Sequence, residues 1–224
     1  MAAASKLSKF STCELSDALV KLGIASGGYI PGLSVFSPSP AGKICGPAYT
    51  VKMVLASDNF APKLSEHFVD TVSAGHVLVI AGPHEAQNAV WGGLMSAGAI
   101  ARSAVGVVIS GCCRDLQEHR ALGFPVFARS HSTLGQQSFT RPSAINIPLC
   151  ITPPSNSSNY TFPSVTVEPG DWIIGDEDGV VCVPRAMEDE ALKEAASRRA
   201  IDSQCMVDIQ AGKGIQATFA KYRK

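Results

Sequence analysis

Val105-Gly-Val-Val-Ile-Ser-Gly-Cys-Cys-Arg-Asp-Leu-Gln-Glu118 is the stretch of sequence that decides the fold. Gly106 to Ser110 is short, almost wholly apolar and β-branched, as expected of a strand buried on both faces. Gly111 is expected to turn the chain, and 115–122 reads as a helix ended by Gly123. The same alternation extends outward in both directions. His76 to Ala81 is a second buried strand, and Gly82-Pro83 breaks the chain after it. Leu94, Ala97, Ile100 and Ala101 then recur at helical spacing behind Gly92-Gly93. Pro125 to Ala128 reads as a further short strand. Strands and helices that alternate in this way argue for an α/β layer.

Toward the N-terminus, Ser11 and Glu14 form a capping box ahead of Leu15, Ala18, Leu19 and Leu22. The helix expected there spans 12–22 and closes at Gly23. Residues 27–42 are rich in Gly, Pro and Ser and read as a loop. Ala48 to Leu55 reads as a strand, and 61–71 as a helix. Toward the C-terminus, 131–164 is rich in Ser, Thr, Asn, Gln and Pro. It reads as a strand-bearing segment interrupted by a long exposed loop centred on Pro153-Pro154 and Ser155-Asn156-Ser157-Ser158-Asn159. Glu168-Pro-Gly-Asp171 is a turn. Trp172 to Gly175 and Val180 to Val183 form a hairpin around Asp176-Glu-Asp-Gly179. From Arg185 to about Tyr222 a charged amphipathic pattern predicts one or two helices, weakened at Gly212 and Gly214. The expected organisation is one domain over 1–184, with 185–224 as a helical extension packed on it.

Composition narrows the function. The chain has 224 residues, 46% hydrophobic and 17% charged, so a sizeable core is expected. Lys plus Arg balance Asp plus Glu at 19 each, which speaks against a nucleic-acid surface. No apolar run approaches the roughly 20 residues of a membrane span. The first residues, Met1-Ala-Ala-Ala-Ser-Lys-Leu-Ser-Lys9, hold no apolar signal core, and a cytosolic location is expected by elimination. The seven cysteines include no Cys-x-x-Cys pair and read as reduced thiols.

Arg114 and Asp115 fall just beyond the C-terminal end of a buried strand, the edge where open α/β sheets bind ligands. Asp115 and Glu118 are three residues apart and share a helix face. Two carboxylates with waters suit a hard divalent ion such as Mg²⁺ or Mn²⁺. Arg114 offers a planar fork for a carboxylate or an enolate oxygen. Gly92-Gly93 at a helix start presents bare N–H groups to an anion. Each feature has a plainer reading. Asp-x-x-Glu at a helix start is also a capping-box variant, and on these two residues alone capping is the commoner reading by roughly two to one. Arg114 alone reads as a surface ion-pairing residue, and Gly92-Gly93 alone as a turn. Asp176-x-Asp-Gly179 looks like the opening of a calcium loop, but the rest of that loop is absent and a hairpin turn is preferred. The five histidines show no ligand spacing. Cys112-Cys113 reads as a small-residue turn rather than a nucleophile.

Together these pieces resemble the RraA-like family, which includes regulators of RNase E activity and 4-hydroxy-4-methyl-2-oxoglutarate aldolases. The resemblance runs through Thr12-x-x-x-Ser-Asp-Ala-Leu19, Gly46-Pro-Ala-x-Thr-Val51, Gly75-x-Val-Leu-Val79 and Trp91-Gly-Gly. It continues through Gly106-Val-Val-Ile-x-Gly111, Arg114-Asp115, Gly123-Phe-Pro-Val-Phe-Ala128, Pro169-Gly-Asp and Asp176-x-Asp-Gly-Val-Val-x-Val-Pro184. Catalytic members carry Gly, twenty residues, Arg-Asp, two residues, then Glu or Asp; Gly93, Arg114, Asp115 and Glu118 fill those places. Some aldolase members have Asp where this chain has Gly93.

The resemblance implies a compact α/β sandwich around a central β-sheet, of the swivelling phosphohistidine-domain kind, assembled as a homotrimer or homohexamer. It implies that Gly92, Gly93, Leu94, Met95 and Arg114 bind a small 2-oxo acid substrate. It further implies that Asp115 ligates a divalent metal ion, Mg²⁺ or Mn²⁺, and that Glu118 reaches that metal through water. The implied activity is a pyruvate-releasing aldolase with oxaloacetate decarboxylation through the same enolate. The alternative in the same family is a non-catalytic regulator that binds a ribonuclease or RNA helicase.

Overall fold

A computed structural model describes residues 5–38, 42–154 and 162–223. The three parallel strands that anchor it are β3 (Val77–Ala81), β5 (Gly106–Cys113) and β6 (Val126–His131). Their side chains alternate between two cores, as the two-residue period of a strand requires. Leu78, Ile80, Val107 and Ile109 enter a cluster with Phe68, Trp91 and Phe124. Val77, Val79 and Val108 enter a second one, with Phe127, Ile151 and Val165. Burial on both faces explains why these runs lack a polar face.

The sheet grows outward from this centre. β2 (Ile44–Leu55) lies parallel to β3, and β1 (Ser34–Ser37) lies antiparallel to β6. β10 (Trp172–Asp176) and β11 (Gly179–Val183) form the expected hairpin, joined antiparallel to β2. The order is β1-β6-β5-β3-β2-β10-β11. Two further strands pair off this path: β4 (Ala89–Trp91) on β5 and β7 (Thr140–Ile145) on β2. The sheet curls into a nearly closed barrel. A separate pair, β8 (Leu149–Ile151) with β9 (Val165–Val167), covers the second core. The polar segment 131–164 thus carries strands, as expected; its centre, 155–159, lies outside the described residues. The α/β architecture expected from the alternation is the one found.

Helix α2 (Gly93–Ala101) links β4 to β5, and α3 (Leu116–Leu122) links β5 to β6. Both pack on the first core through Met95, Ala99 and Leu116. Helix α1 (Thr12–Lys21) and the C-terminal α4 (Glu188–Gln210) cover β10 and β11, where Leu15, Leu19, Ala191 and Ala195 meet Trp172, Ile174 and Val181. Helix α5 (Ile215–Tyr222) follows the break at Gly212, whose φ is +84°. Among the described residues, no helix is long and apolar enough to cross a membrane.

Three sequence expectations fail, the first being the loop over 27–42, which carries β1 at Ser34–Ser37 where it pairs with β6. The helix expected over 61–71 does not form. The Arg141 guanidinium takes the carbonyls of Asp58, Ala61 and Pro62 at 2.6–2.8 Å, and an irregular chain here still buries Phe68, Val69 and Val72. The turn expected at Gly111 to Cys113 is instead strand. β5 continues to Cys113 because β4 and β6 pair with Cys112 and Cys113 on its two sides, after a register shift beyond Ile109.

The capping box of α1 is present in full: Ser11 Oγ accepts from Glu14 N–H, and Glu14 accepts from Ser11 N–H. The Glu14 carboxylate also takes two hydrogen bonds from Arg199 of α4, at 2.5 and 2.6 Å. The Arg199 hydrogen bonds lower the carboxyl pKa from 4.5 to about 2. This contact therefore stabilises the fold fully above the ordinary glutamate range, and the stabilisation is lost as pH falls through that range toward 2. Glu14→Ala is expected to cost about 1–2 kcal/mol, the scale of a lost cap. Thermal melts at pH 7 and pH 3 check this. The wild-type advantage should shrink at the lower pH, and an equal melting temperature at pH 7 would contradict the account.

Candidate active site

The end of β5 delivers Arg114 and Asp115 to the sheet's C-terminal edge, beside the start of α2. Asp115 is the pivot. Its φ of 59° and ψ of 43° place a non-glycine residue in the left-handed region. Such a conformation costs of order 1–3 kcal/mol and is held only where its surroundings over-determine it. The turn aims the carboxylate away from its own helix. Asp115 makes no side-chain cap on α3, and the capping reading of Asp115 and Glu118 is corrected accordingly. Oδ2 instead accepts from the Gly93 N–H at 3.1 Å, the first residue of α2, and from Arg114 Nε at 3.3 Å.

The Gly92–Met95 turn is more selective than expected. Gly93 N–H is taken by Asp115, and Met95 N–H folds back on the Gly92 carbonyl at 3.0 Å. The Leu94 N–H has no protein acceptor among the described residues. Leu94 itself is 81% exposed. Arg114 and Asp115 are partly exposed, with side-chain accessibilities of 44% and 30%.

These groups open onto a cavity of about 470 Å³. Gly92, Leu94, Met95, Arg114 and Asp115 line it, whereas Gly93, also expected at the substrate, does not. Glu118 does not line it; its carboxylate lies against the Cα of Gly93, where a Cβ would collide with the Glu118 side chain. A Cβ on Gly92 would approach Asp115 Oδ2 to 2.5 Å. Both acids therefore flank the two glycines, which lack side chains where the carboxylates sit. An aspartate at position 93 would require Glu118 to move, so the residues at these two positions are coupled.

Sequence reasoning missed the opposite wall. His67, Gln136, Gln137, Ser138 and Phe139 line the cavity, and Gly135 closes against the Arg114 guanidinium. They come from the segment after β6 and from the irregular stretch after β2, and no motif marks either. His119 was also missed. It is fully buried, with Nδ1 2.9 Å from Ser96 Oγ. Burial lowers its pKa and favours the neutral ring. Cys113, the other reactive group nearby, has its pKa pushed up to about 12 by burial. A thiol held protonated is a poor nucleophile.

Two carboxylates can serve a hard divalent ion here. Asp115 Oδ1 and the Glu118 carboxylate carry no hydrogen bond from the protein among the described residues. Among those residues no three His, Cys, Asp or Glu side chains converge as a closed metal cage. That donor set fits an ion that keeps most of its waters, as Mg²⁺ does, and does not fit tetrahedral zinc.

Residues 12–182 match the family model described as RraA-like, Aldolase/RraA. A protein of Halalkalibacterium halodurans named "Putative 4-hydroxy-4-methyl-2-oxoglutarate aldolase" is 31% identical over 160 residues, 71% of this chain and 69% of the relative. A crystal structure of an uncharacterized protein from Pseudomonas syringae superposes with a TM-score of 0.78 at 26% identity, covering 95% of this chain and 94% of the other. Streptomyces coelicolor RraAS2, titled an unusual member of the RNase ES inhibitor RraA protein family, shares the fold with a TM-score of 0.73 at 24% identity, over 88% of this chain and 91% of that one. With the matched region spanning every element from α1 to β11, the chain belongs to the RraA-like family.

Proposed function

We propose that the protein is a divalent-metal-dependent carbon–carbon lyase that releases pyruvate from 4-hydroxy-4-methyl-2-oxoglutarate and decarboxylates oxaloacetate. The observation that carries this reading is the convergence of Arg114, Asp115 and the open Leu94 N–H on one cavity. The name of the Halalkalibacterium relative supports the same substrate class. Asp115, with Glu118 through water, would hold Mg²⁺ or Mn²⁺. The bound ion supplies Lewis-acid polarisation of the 2-oxo acid's oxygens.

The protein's own groups do the rest. Arg114 grips the substrate carboxylate and the oxygen on which charge develops as the C3–C4 bond breaks. The start of α2 faces the same anion with the Leu94 N–H. In the aldol substrate the 4-hydroxyl proton passes to water as C4 becomes a carbonyl, and C3 is then protonated to give pyruvate. In oxaloacetate the C4 carboxylate leaves as carbon dioxide and the same enolate results. Leu94, Met95 and Phe139 supply apolar wall, and Gln136, Gln137 and Ser138 supply neutral hydrogen-bonding groups for the rest of the substrate. The exposure of Leu94 and Phe139 at this mouth fits coverage by a neighbour in a homotrimer or homohexamer. Light scattering would read that as a multiple of the 23.4 kDa protomer.

The test is pyruvate release from a panel of 4-hydroxy-2-oxo acids and oxaloacetate. Turnover of oxaloacetate and at least one aldol substrate is expected. A blank panel under Mg²⁺ and Mn²⁺ would sink the lyase reading and favour a regulator that binds a ribonuclease or helicase; RraAS2 is described as belonging to an RNase ES inhibitor family.

A further inference from the structure

Trp91, Ser96 and His119 form a buried chain of polar groups beside the Arg114–Asp115 turn. Trp91 Nε1 donates to Ser96 Oγ at 2.9 Å, and Ser96 Oγ lies 2.9 Å from His119 Nδ1. Ser96 and His119 are 0% exposed and Trp91 2%. With water excluded, the hydrogens can be counted. An indole N–H only donates, so it occupies a lone pair of Ser96 Oγ. Among the described residues, the acceptor left for the Ser96 hydrogen is His119 Nδ1. Nδ1 is then the bare nitrogen, and the imidazole hydrogen sits on Nε2.

That Nε2 has no partner of normal hydrogen-bond geometry. The main-chain N–H of His119 donates to the Asp115 carbonyl at 3.2 Å. That bond closes the first turn of α3, so holding the His119 ring through Ser96 holds the helix start at Asp115. Through Ser96 on α2 and Trp91 on β4, the ring ties the left-handed turn to the two elements that face it across the site.

We propose that His119 is a positioning residue. Anchored by Ser96 and Trp91, it holds the Arg114–Asp115 main chain in the turn from which Asp115 Oδ2 meets the Gly93 N–H. It does not line the cavity, so it acts through the turn and not on substrate. The inference rests on reading Arg114 and Asp115 as the lyase site, but one test does not depend on turnover. The Gly93 N–H bonds directly to Asp115 Oδ2, so its hydrogen exchange reports whether that carboxylate is in place.

The experiment compares amide exchange by NMR in the full-length wild type, His119→Asn, His119→Gln and Ser96→Ala. Val79, in the buried centre of β3, serves as the core reference. An Asn amide oxygen reaches the Nδ1 position and still accepts from Ser96, whereas a Gln amide reaches the Nε2 position and leaves the Ser96 hydrogen without its acceptor. In His119→Gln, Gly93 exchange is expected to quicken on the order of tenfold, what loss of one buried hydrogen bond gives, with Val79 unchanged. His119→Asn should stay near wild type, and kcat on oxaloacetate should follow the same order. Gly93 exchange unchanged in His119→Gln overturns the proposal. So does an equal rise at Gly93 and Val79, which would make the chain a general core element. Should His119→Gln not fold, Ser96→Ala decides by the same pair of amides. Should the wild type turn over no 2-oxo acid, the lyase reading fails and Gly93 exchange still judges His119.

Discussion

Asp115→Asn is expected to lose activity by on the order of 10²-fold or more while its melting temperature changes little. The two effects separate because the carboxylate has two duties. As a hydrogen-bond acceptor it holds the Gly93 N–H at the start of α2. Asparagine keeps an acceptor oxygen of the same reach, and Asn and Asp serve about equally well at helix starts. Both residues also tolerate the left-handed backbone that position 115 adopts. As a charge, however, the aspartate cannot be replaced. The amide neither balances Arg114 nor ligates a divalent ion as a carboxylate does. Removal of one group that supports developing charge costs roughly 10²–10³-fold in other enzymes. Thermal melts and specific activity on the same preparation give both numbers. A sharp fall in melting temperature with specific activity intact would reduce Asp115 to a structural cap on α2.

Arg114→Lys is expected to lower kcat/KM by on the order of 10²-fold or more. Lysine keeps the charge but not the planar fork, and a two-pronged grip on a carboxylate is lost with it. The geometry adds a second loss. Arg114 Nε bonds Asp115 Oδ2, and the guanidinium packs against Gly135. A flexible ammonium would leave that gap partly empty and the carboxylate less fixed. Oxalate, planar like the enolate, should inhibit the wild type competitively and bind the variant more weakly. Equal oxalate affinity in both proteins would remove Arg114 from contact with the substrate.

The parts of the fold that were legible in sequence are those where local chemistry and tertiary context agree. The capping box at Ser11 and Glu14 sets the start of α1, and Arg199 reinforces the same carboxylate. The apolar runs at 76–81 and 106–110 become β3 and β5 because both faces of the sheet are covered. Distant partners decided the rest. Carbonyl capture by Arg141 keeps 61–71 from forming a helix, and that arginine lies about eighty residues away in sequence. Cys112 and Cys113 stay in strand because β4 and β6 flank them, and small residues read equally well as a turn. In the site, the spacing of Gly93, Arg114, Asp115 and Glu118 was visible, but the left-handed backbone at Asp115 was not. That one dihedral turns an apparent cap of α3 into a carboxylate that lines the cavity. His119 was hidden for a related reason: nothing local distinguishes a histidine that supports a turn from one that fills a core.

On the proposed function, Asp115 and Glu118 make this a divalent-metal lyase centre. The most direct measurement is oxaloacetate decarboxylation by the metal-stripped protein, before and after addition of Mg²⁺ or Mn²⁺. Asp115→Asn at the same metal concentration serves as the baseline for decarboxylation by the free ion. No turnover above that baseline is expected after stripping with EDTA, with recovery when either ion is returned. Full turnover by the stripped protein would contradict the proposed function.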